Sequence, residues 1–112
     1  MEKSDAALAF LHRAASVYRP REGYWDTVLE ICFTDLKMSF QLVLGRERCT
    51  VLTEGFRPFT ARAEAAYPVF EEIVSGKKSP AMAILRGRMK VTGELRVLKD
   101  MEDLFPGLKV GE

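Results

Sequence analysis

Ser75-Gly76-Lys77-Lys78-Ser79-Pro80-Ala81-Met82-Ala83-Ile84-Leu85-Arg86-Gly87-Arg88-Met89-Lys90-Val91-Thr92-Gly93 holds the densest run of structural signals in this 112-residue chain. Gly76 can stop a helix arriving from upstream. Ser79 is a favourable N-cap and Pro80 suits the first helical position, so a new helix starts there and ends at Gly87 after about two turns. Met89 and Val91 then alternate with Arg88, Lys90 and Thr92, the period of a half-exposed strand, and Gly93 closes that strand with a turn.

The chain around this stretch is long enough for one domain, residues 1–112, able to bury roughly two-thirds of its unfolded surface without disulfide or metal staples. With 47% hydrophobic and 29% charged residues it has the composition of a soluble globular protein. Its 17 basic residues against 16 acidic ones give no basic excess of the kind a phosphate backbone selects, so nucleic acid is excluded as the main partner. The first residues show no signal-peptide pattern and no apolar run is of spanning length, which makes the cytoplasm the expected compartment. Cys32 and Cys49 lack CxxC spacing and are read as reduced, small apolar side chains, and with His12 as the lone imidazole a zinc site is not expected.

Upstream of the stretch, Ser4 is a candidate N-cap, and Leu8, Leu11, Ala15 and Tyr18 recur at helical spacing, which predicts an amphipathic helix over 5–18 ended by Arg19-Pro20. Residues 25–33 and 36–44 alternate as strands, with Thr27, Leu29, Ile31 and Phe33 on one face of the first and Leu36, Met38, Phe40, Leu42 and Leu44 on one face of the second, joined by a hairpin at Thr34-Asp35. Gly45-Arg46-Glu47 turns into a third strand through Cys49, Val51 and Thr53. A fourth follows Pro58, with Phe59, Ala61, Ala63 and Ala65 on one face, and its small side chains leave room beneath the sheet. Tyr67-Pro68 opens a helix carrying Phe70, Ile73 and Val74 on one side and Glu71 and Glu72 on the other, where the two carboxylates suit the positive end of the helix dipole. Downstream, Glu94 to Phe105 reads as a last helix with Leu95, Leu98, Met101, Leu104 and Phe105 inward, stopped by Pro106-Gly107. The order is a helix, four antiparallel strands, two helices, a strand and a helix. It makes an α+β fold in which helices cover one face of a five-stranded, mostly antiparallel, curved sheet.

Catalytic motifs are scarce. No GxSxG, HExxH, GxGxxG or P-loop pattern is present, and His12 falls on a polar helix face without an evident partner. Asp26, Glu30, Asp35 and Tyr24 could set a carboxylate beside a phenol, although acidic residues alternating outward from a strand are ordinarily solvated. Adaptable apolar side chains are plentiful instead, methionines among them, and composition does not separate a pocket from a core.

The Gly76-Lys77 turn followed by Pro80, Ala83, Gly87, Arg88, Met89, Lys90, Val91, Thr92 and Gly93 resembles the C-terminal signature of sterol carrier protein type 2 (SCP2) domains. Arg88 stands where that pattern has a second lysine and Ile84 where an aromatic is common. Element order and length agree over most of the chain, in the manner of a small stand-alone member of bacterial type. The resemblance implies an apolar tunnel between sheet and helices that takes up a fatty acyl chain, acyl-CoA, phospholipid, sterol or isoprenoid, for transfer or presentation, with no covalent chemistry and no cofactor.

On that reading the residues expected against ligand are Phe33, Phe40, Phe59, Phe70, Ile73, Met82, Leu85, Met89, Leu95, Leu98, Met101 and Phe105. Lys77, Lys78, Arg86 and Arg88 are the candidates for a lipid head group or a transient membrane contact. The last helix is the expected gate, and a homodimer or a partner enzyme is conceivable. Two other readings stay open: an accessory lipid-presenting factor in an isoprenoid-quinone or lipid pathway, and a small enzyme with a cone-shaped pocket holding a buried Asp, His or Tyr. An empty cavity of ligand size, about 300 Å³ at the least, would cost roughly 7 kcal/mol, so the unliganded form is expected to be partly collapsed or to carry adventitious lipid, and an apolar ligand to raise its melting temperature.

Overall fold

The computed structural model describes residues 3–74 and 77–106, and the side chains among them other than those at 3, 4, 74, 98 and 102. The Gly76 helix stop and the inward placement of Leu98 lie outside that description. The elements run α1 (Lys3–Ser16), β1 (Thr27–Phe33), β2 (Met38–Leu44), β3 (Cys49–Leu52), β4 (Ala61–Ala65), α2 (Tyr67–Val74), α3 (Pro80–Leu85), β5 (Met89–Gly93), α4 (Arg96–Lys99) and α5 (Met101–Leu104). The sheet order is β3-β2-β1-β4-β5.

Three of the four strand pairings are antiparallel. The fourth corrects the expectation of four antiparallel strands in succession, because β4 pairs with β1 in parallel, Ile31 opposite Ala63. A parallel pair cannot be joined by a tight hairpin. Residues 53–60 therefore carry the chain past β2 and β1, and Phe59 belongs to this crossover rather than to the strand, which starts at Ala61. Period-two alternation identifies strands but not their neighbours, which is why the pairing escaped it.

Alternation gives the sheet two unlike faces. Leu29, Ile31, Phe33, Phe40, Leu42, Leu44, Ala61, Ala63, Ala65 and Met89 form one core with residues of every helix. Phe33 is its centre, its ring 5.3 Å from Phe70, 5.5 Å from Tyr67 and 6.1 Å from Phe40 between centroids. From α1 the buried stripe is Ala7, Phe10, Leu11 and Ala14, with Leu8 and Ala15 only partly covered, so the helix is rotated from the orientation its leucines suggested. That helix starts at Lys3, which places Ser4 inside it rather than at its cap. His12 is exposed on its outer side.

Distant residues fix the other helix ends. The Tyr67 N–H donates to Asp35 Oδ1 at 3.0 Å, so the β1–β2 turn caps α2. Glu71 and Glu72 lie beyond the first turn of α2, too far along to serve the dipole role expected of them. Ser79 caps α3 as expected, its Oγ accepting from Met82 N at 3.1 Å, and Gly87 ends it at φ +74°. The final helix expected over 94–105 is instead two short helices, α4 and α5, with Asp100 between them.

Candidate functional site

Between the apolar face of the sheet and the helices lies a cavity of about 40 Å³. Its walls are Phe10, Leu11 and Ala14 of α1, Leu29, Ile31, Leu42 and Ala63 of the sheet, Phe70 and Ile73 of α2, and Pro80, Met89, Met101 and Phe105. No titratable side chain is among them. Ala61, Ala63 and Ala65 of β4 all point toward the helices and are buried, and the small side chain of Ala63 leaves space at the cavity wall. At about 24 cal/mol per Å³ the void costs about 1 kcal/mol, and it has room for a few water molecules, not for a lipid chain. A lipid-sized tunnel is thus not formed in this conformation.

Of the residues expected against ligand, Phe70, Ile73, Met89, Met101 and Phe105 come together on the cavity wall. Phe33 and Phe40 are buried in the core beside it without lining it. Phe59 is 38% exposed on the crossover, Leu95 is 57% exposed after β5 and Leu85 is 79% exposed at the end of α3, so these three face away from the cavity. Leu95 was expected inward on an unbroken helix, and the helix starts one residue after it. Phe10, Leu11, Ala14, Leu29, Ile31, Leu42, Ala63 and Pro80 are further wall residues, not expected against ligand from the sequence. The inward alternation of β1, β2 and β4 carried the signal for the strand residues among them, whereas for Phe10 and Ala14 it was blurred by helix rotation.

Met82 lines a second, open groove of about 170 Å³ together with Val69, Lys77, Lys78, Ser79, Ala83, Arg86 and Arg88. All four head-group candidates are therefore neighbours in one place. Arg88 Nη1 and Nη2 each approach a carboxylate oxygen of Glu72 at 3.4 Å, a pair that orients Arg88 along the groove.

The opposite face of the sheet is polar. Glu30 was expected to be solvated and is instead 6% exposed, its carboxylate paired to Arg62 and accepting from Gln41 Nε2 at 2.9 Å. Fully buried Gln41 also donates to the Arg57 carbonyl at 2.7 Å and accepts the Arg57 N–H at 2.9 Å. One amide side chain thus tethers the crossover as a strand neighbour would. Arg62 also reaches Glu64 at 3.5 Å. These partners satisfy the buried charge, so the cluster holds the crossover in place.

Tyr24 does not meet Asp26, Glu30 or Asp35. Its hydroxyl bonds to Asp100 and to the Arg96 carbonyl, clamping α4 and α5 to residues 19–24. Burial first, and then the Asp100 carboxylate, push its phenol above the ordinary range, so it does not act as a base near neutral pH. Arg19 N donates to Leu104 O at 2.8 Å, Arg21 meets Asp103 at 3.2 Å and Arg96 donates to Gly23 O at 3.0 Å on the same seam. The terminal segment, expected to be the gate, is therefore held by polar contacts as well as apolar ones. Cys32 and Cys49 are free and buried on opposite faces of the sheet. Burial raises both thiols, Cys49 to about 12. Among the described residues no group of three or more His, Cys, Asp or Glu side chains could hold a metal ion. No helix among them is long and apolar enough to cross a membrane.

The model of the SCP-2 sterol transfer family matches residues 9–106. The chain belongs to that family. This SCP-2 domain is accordingly a fold of the apolar-lipid binding and transfer class, and no curated protein matches it by sequence. Among solved structures, one titled UbiJ-SCP2 ubiquinone synthesis protein superposes with a TM-score of 0.71 at 18% identity, covering 93% of this chain and 94% of that one. Sterol carrier protein 2 like 2 from Aedes aegypti gives 0.65 at 11% identity, covering 92% and 99%. A double mutant of the sec-alkyl sulfatase PisA1 gives 0.74 at 21% identity over 86% of this chain. The SCP-2 domain spans only 16% of that sulfatase. At these identities the likeness is one of fold, and it covers the sheet and helices that enclose the cavity.

Proposed function

We propose that the protein binds the hydrocarbon part of a lipid-type molecule, such as a fatty acyl or isoprenoid chain, in an enlarged form of the apolar cavity, for transfer or presentation and without covalent chemistry. The observation that carries this reading is a cavity walled solely by apolar side chains, between the helices and β1, β2, β4 and β5 of the sheet. A proton-transferring enzyme would need an acid or base at that wall, and the phenol–carboxylate pair of Tyr24 with Asp100 is not on it and clamps the chain instead.

Binding enlarges the void. A chain needing about 300 Å³ must displace helices from the sheet, at a cost of the order of 6 kcal/mol beyond the present cavity, and its own burial offsets that cost. Native mass spectrometry of freshly purified protein tests the reading, together with thermal melting in the presence of long-chain fatty acids and lysophospholipids. The expected result is a lipid-mass adduct, or a melting temperature raised by about 10 °C when ligand is a hundredfold above its Kd, from about 2.7 kcal/mol of linkage. No adduct and no shift with either lipid class would refute it.

The likeness to the structure titled as a ubiquinone synthesis protein favours one narrower form of the reading, in which the domain presents an isoprenoid substrate to a partner enzyme. Competition between a polyprenyl phenol and a fatty acid for the same melting shift separates the two. Preference for the polyprenyl compound supports presentation in an isoprenoid pathway.

A further inference from the structure

We propose that α3 and the basic groove beside it form a docking face for an anionic lipid bilayer, placed at the rim of the cavity; this rests on the lipid-carrier reading above. Residues 77–93 hold five bases, Lys77, Lys78, Arg86, Arg88 and Lys90, and not one of the 16 acids of the chain. The rest of the chain is therefore net negative, so positive charge is concentrated on one segment of a nearly neutral molecule. Lys77, Lys78, Arg86 and Arg88 are exposed and line one groove.

The helix beside that groove is oriented against burial of its own apolar side chains. At 3.6 residues per turn, Ala83 and the half-buried Pro80 take its inward side, and Ala81 and Leu85 face outward with Met82 and Ile84 at the flanks. Met82 is 39%, Ile84 38% and Leu85 79% exposed. Three large apolar side chains in water over six residues, bordered by cations, have the make-up of an interfacial anchor, in which the apolar groups enter the acyl boundary and the bases meet lipid phosphates. The other exposed apolar residues sit among charges of both signs: Trp25 has Arg46 4.8 Å from its ring centroid but Asp26 beside it, Phe56 and Phe59 flank Arg57 close to Glu54, and Leu95 lies between Glu94 and Arg96.

The position of the face relative to the cavity gives the docking a purpose. Pro80 starts α3 and Met89 follows it, and both line the cavity, whereas Met82 and Arg86 line the outer groove. α3 thus touches the cavity wall at its first residue, Pro80, and the outer groove through Met82 and Ala83. A lipid leaving the membrane beside α3 meets the cavity rim without crossing bulk water.

Co-sedimentation with phosphatidylcholine vesicles and with equimolar phosphatidylcholine–phosphatidylglycerol vesicles tests the proposal on the full chain. The wild type is expected to bind the anionic vesicles more tightly, by at least tenfold. Leu85→Ala removes three carbons from an exposed side chain, so the fold is unaffected, and it is expected to weaken anionic-vesicle binding by about ten- to fiftyfold. Lys77→Glu with Lys78→Glu is expected to abolish the preference for anionic lipid. Both variants are expected to keep the fatty-acid melting shift, which separates this face from the cavity. Equal binding to both vesicle types overturns the proposal, as does anionic binding indifferent to both variants. A soluble dimer that Leu85→Glu dissociates, with no vesicle binding, also overturns it and assigns the face to self-association. If the melting shift is present while vesicle binding is absent, docking fails and the carrier reading stands; if the shift itself is absent, the carrier reading fails.

Discussion

Filling the space over Ala63 separates ligand binding from stability. Ala63 lies in the middle of β4, opposite Ile31 on one side and Val91 on the other, and its methyl forms part of the cavity wall. Ala63→Leu adds three carbons, a transfer gain of about 2.4 kcal/mol if they are buried as the alanine methyl is. It also removes much of a void costing about 1 kcal/mol. Against this stands overpacking, typically about 1–3 kcal/mol in a close-packed core. The balance is about 0.4–2.4 kcal/mol in favour of the variant, so it is expected to melt about 1–9 °C above the wild type. Ligand is affected differently, because a lipid chain and the new isobutyl group compete for one space. A single mismatched methylene costs about 1–3 kcal/mol in an apolar pocket, a loss of about 10–200-fold in affinity. At a ligand concentration a hundredfold above the wild-type Kd, the melting shift of about 10 °C should fall to about half at the mild end and vanish at the severe end. Thermal melts of both proteins, with and without a long-chain fatty acid, measure both effects. An Ala63→Leu protein that keeps the full shift would show that ligand does not lie over β4, and the cavity assignment would be wrong.

Other parts of the structure give independent outcomes. Gln41→Ala leaves both main-chain groups of Arg57 and one oxygen of Glu30 without their partner, so chemical denaturation should show a loss of about 2–5 kcal/mol; a loss under 0.5 kcal/mol would mean that the crossover does not depend on this tether. Gly93→Ala should destabilise far more than Gly87→Ala, because both have positive φ but a Cβ at 93 would collide with the Thr60 carbonyl while one at 87 meets open space; equal melting temperatures would contradict that packing. Ser79→Ala removes the α3 cap and should cost about 1 kcal/mol. The thiols carry a pH signature: Cys49 is raised to about 12 in the fold, so its contribution to stability is whole below its ordinary pKa of 9.0 and is lost as pH climbs toward 12. Neither thiol should react quickly with a disulfide reagent at pH 8 until denaturant is added, when two equivalents should appear.

What could be read from the residues was local, and what could not was relational. Ser79-Pro80 and Gly87 specify α3 because caps and breakers act within one turn. The alternation through Ala61, Ala63 and Ala65 specifies the buried face of β4, on which Ala63 lines the cavity. Apolar character alone did not separate cavity from surface: Met89 and Leu85 are alike in hydrophobicity, yet one is buried in β5 and the other projects into solvent from α3. The difference is helix rotation, fixed by Ala83 packing inward. Glu30 looked solvated because strand alternation put it on the polar face; the crossover that Gln41 tethers beside it follows from the parallel β1–β4 pair, a long-range feature without a local signal. Likewise, the break between α4 and α5 accompanies the seam to residues 19–24, where Tyr24, Arg19 and Arg21 hold Asp100, Leu104 and Asp103.

The most direct test is a methyl NMR titration of the protein with a long-chain fatty acid. Binding in the cavity should move the methyl signals of Leu11, Ile31, Ile73 and Met89 together and saturably, and leave Val28 and Val43 on the polar face of the sheet nearly unchanged. Shifts confined to exposed methyls such as those of Ile84 and Leu85, with the wall methyls unmoved at saturation, would contradict carriage between the sheet and the helices.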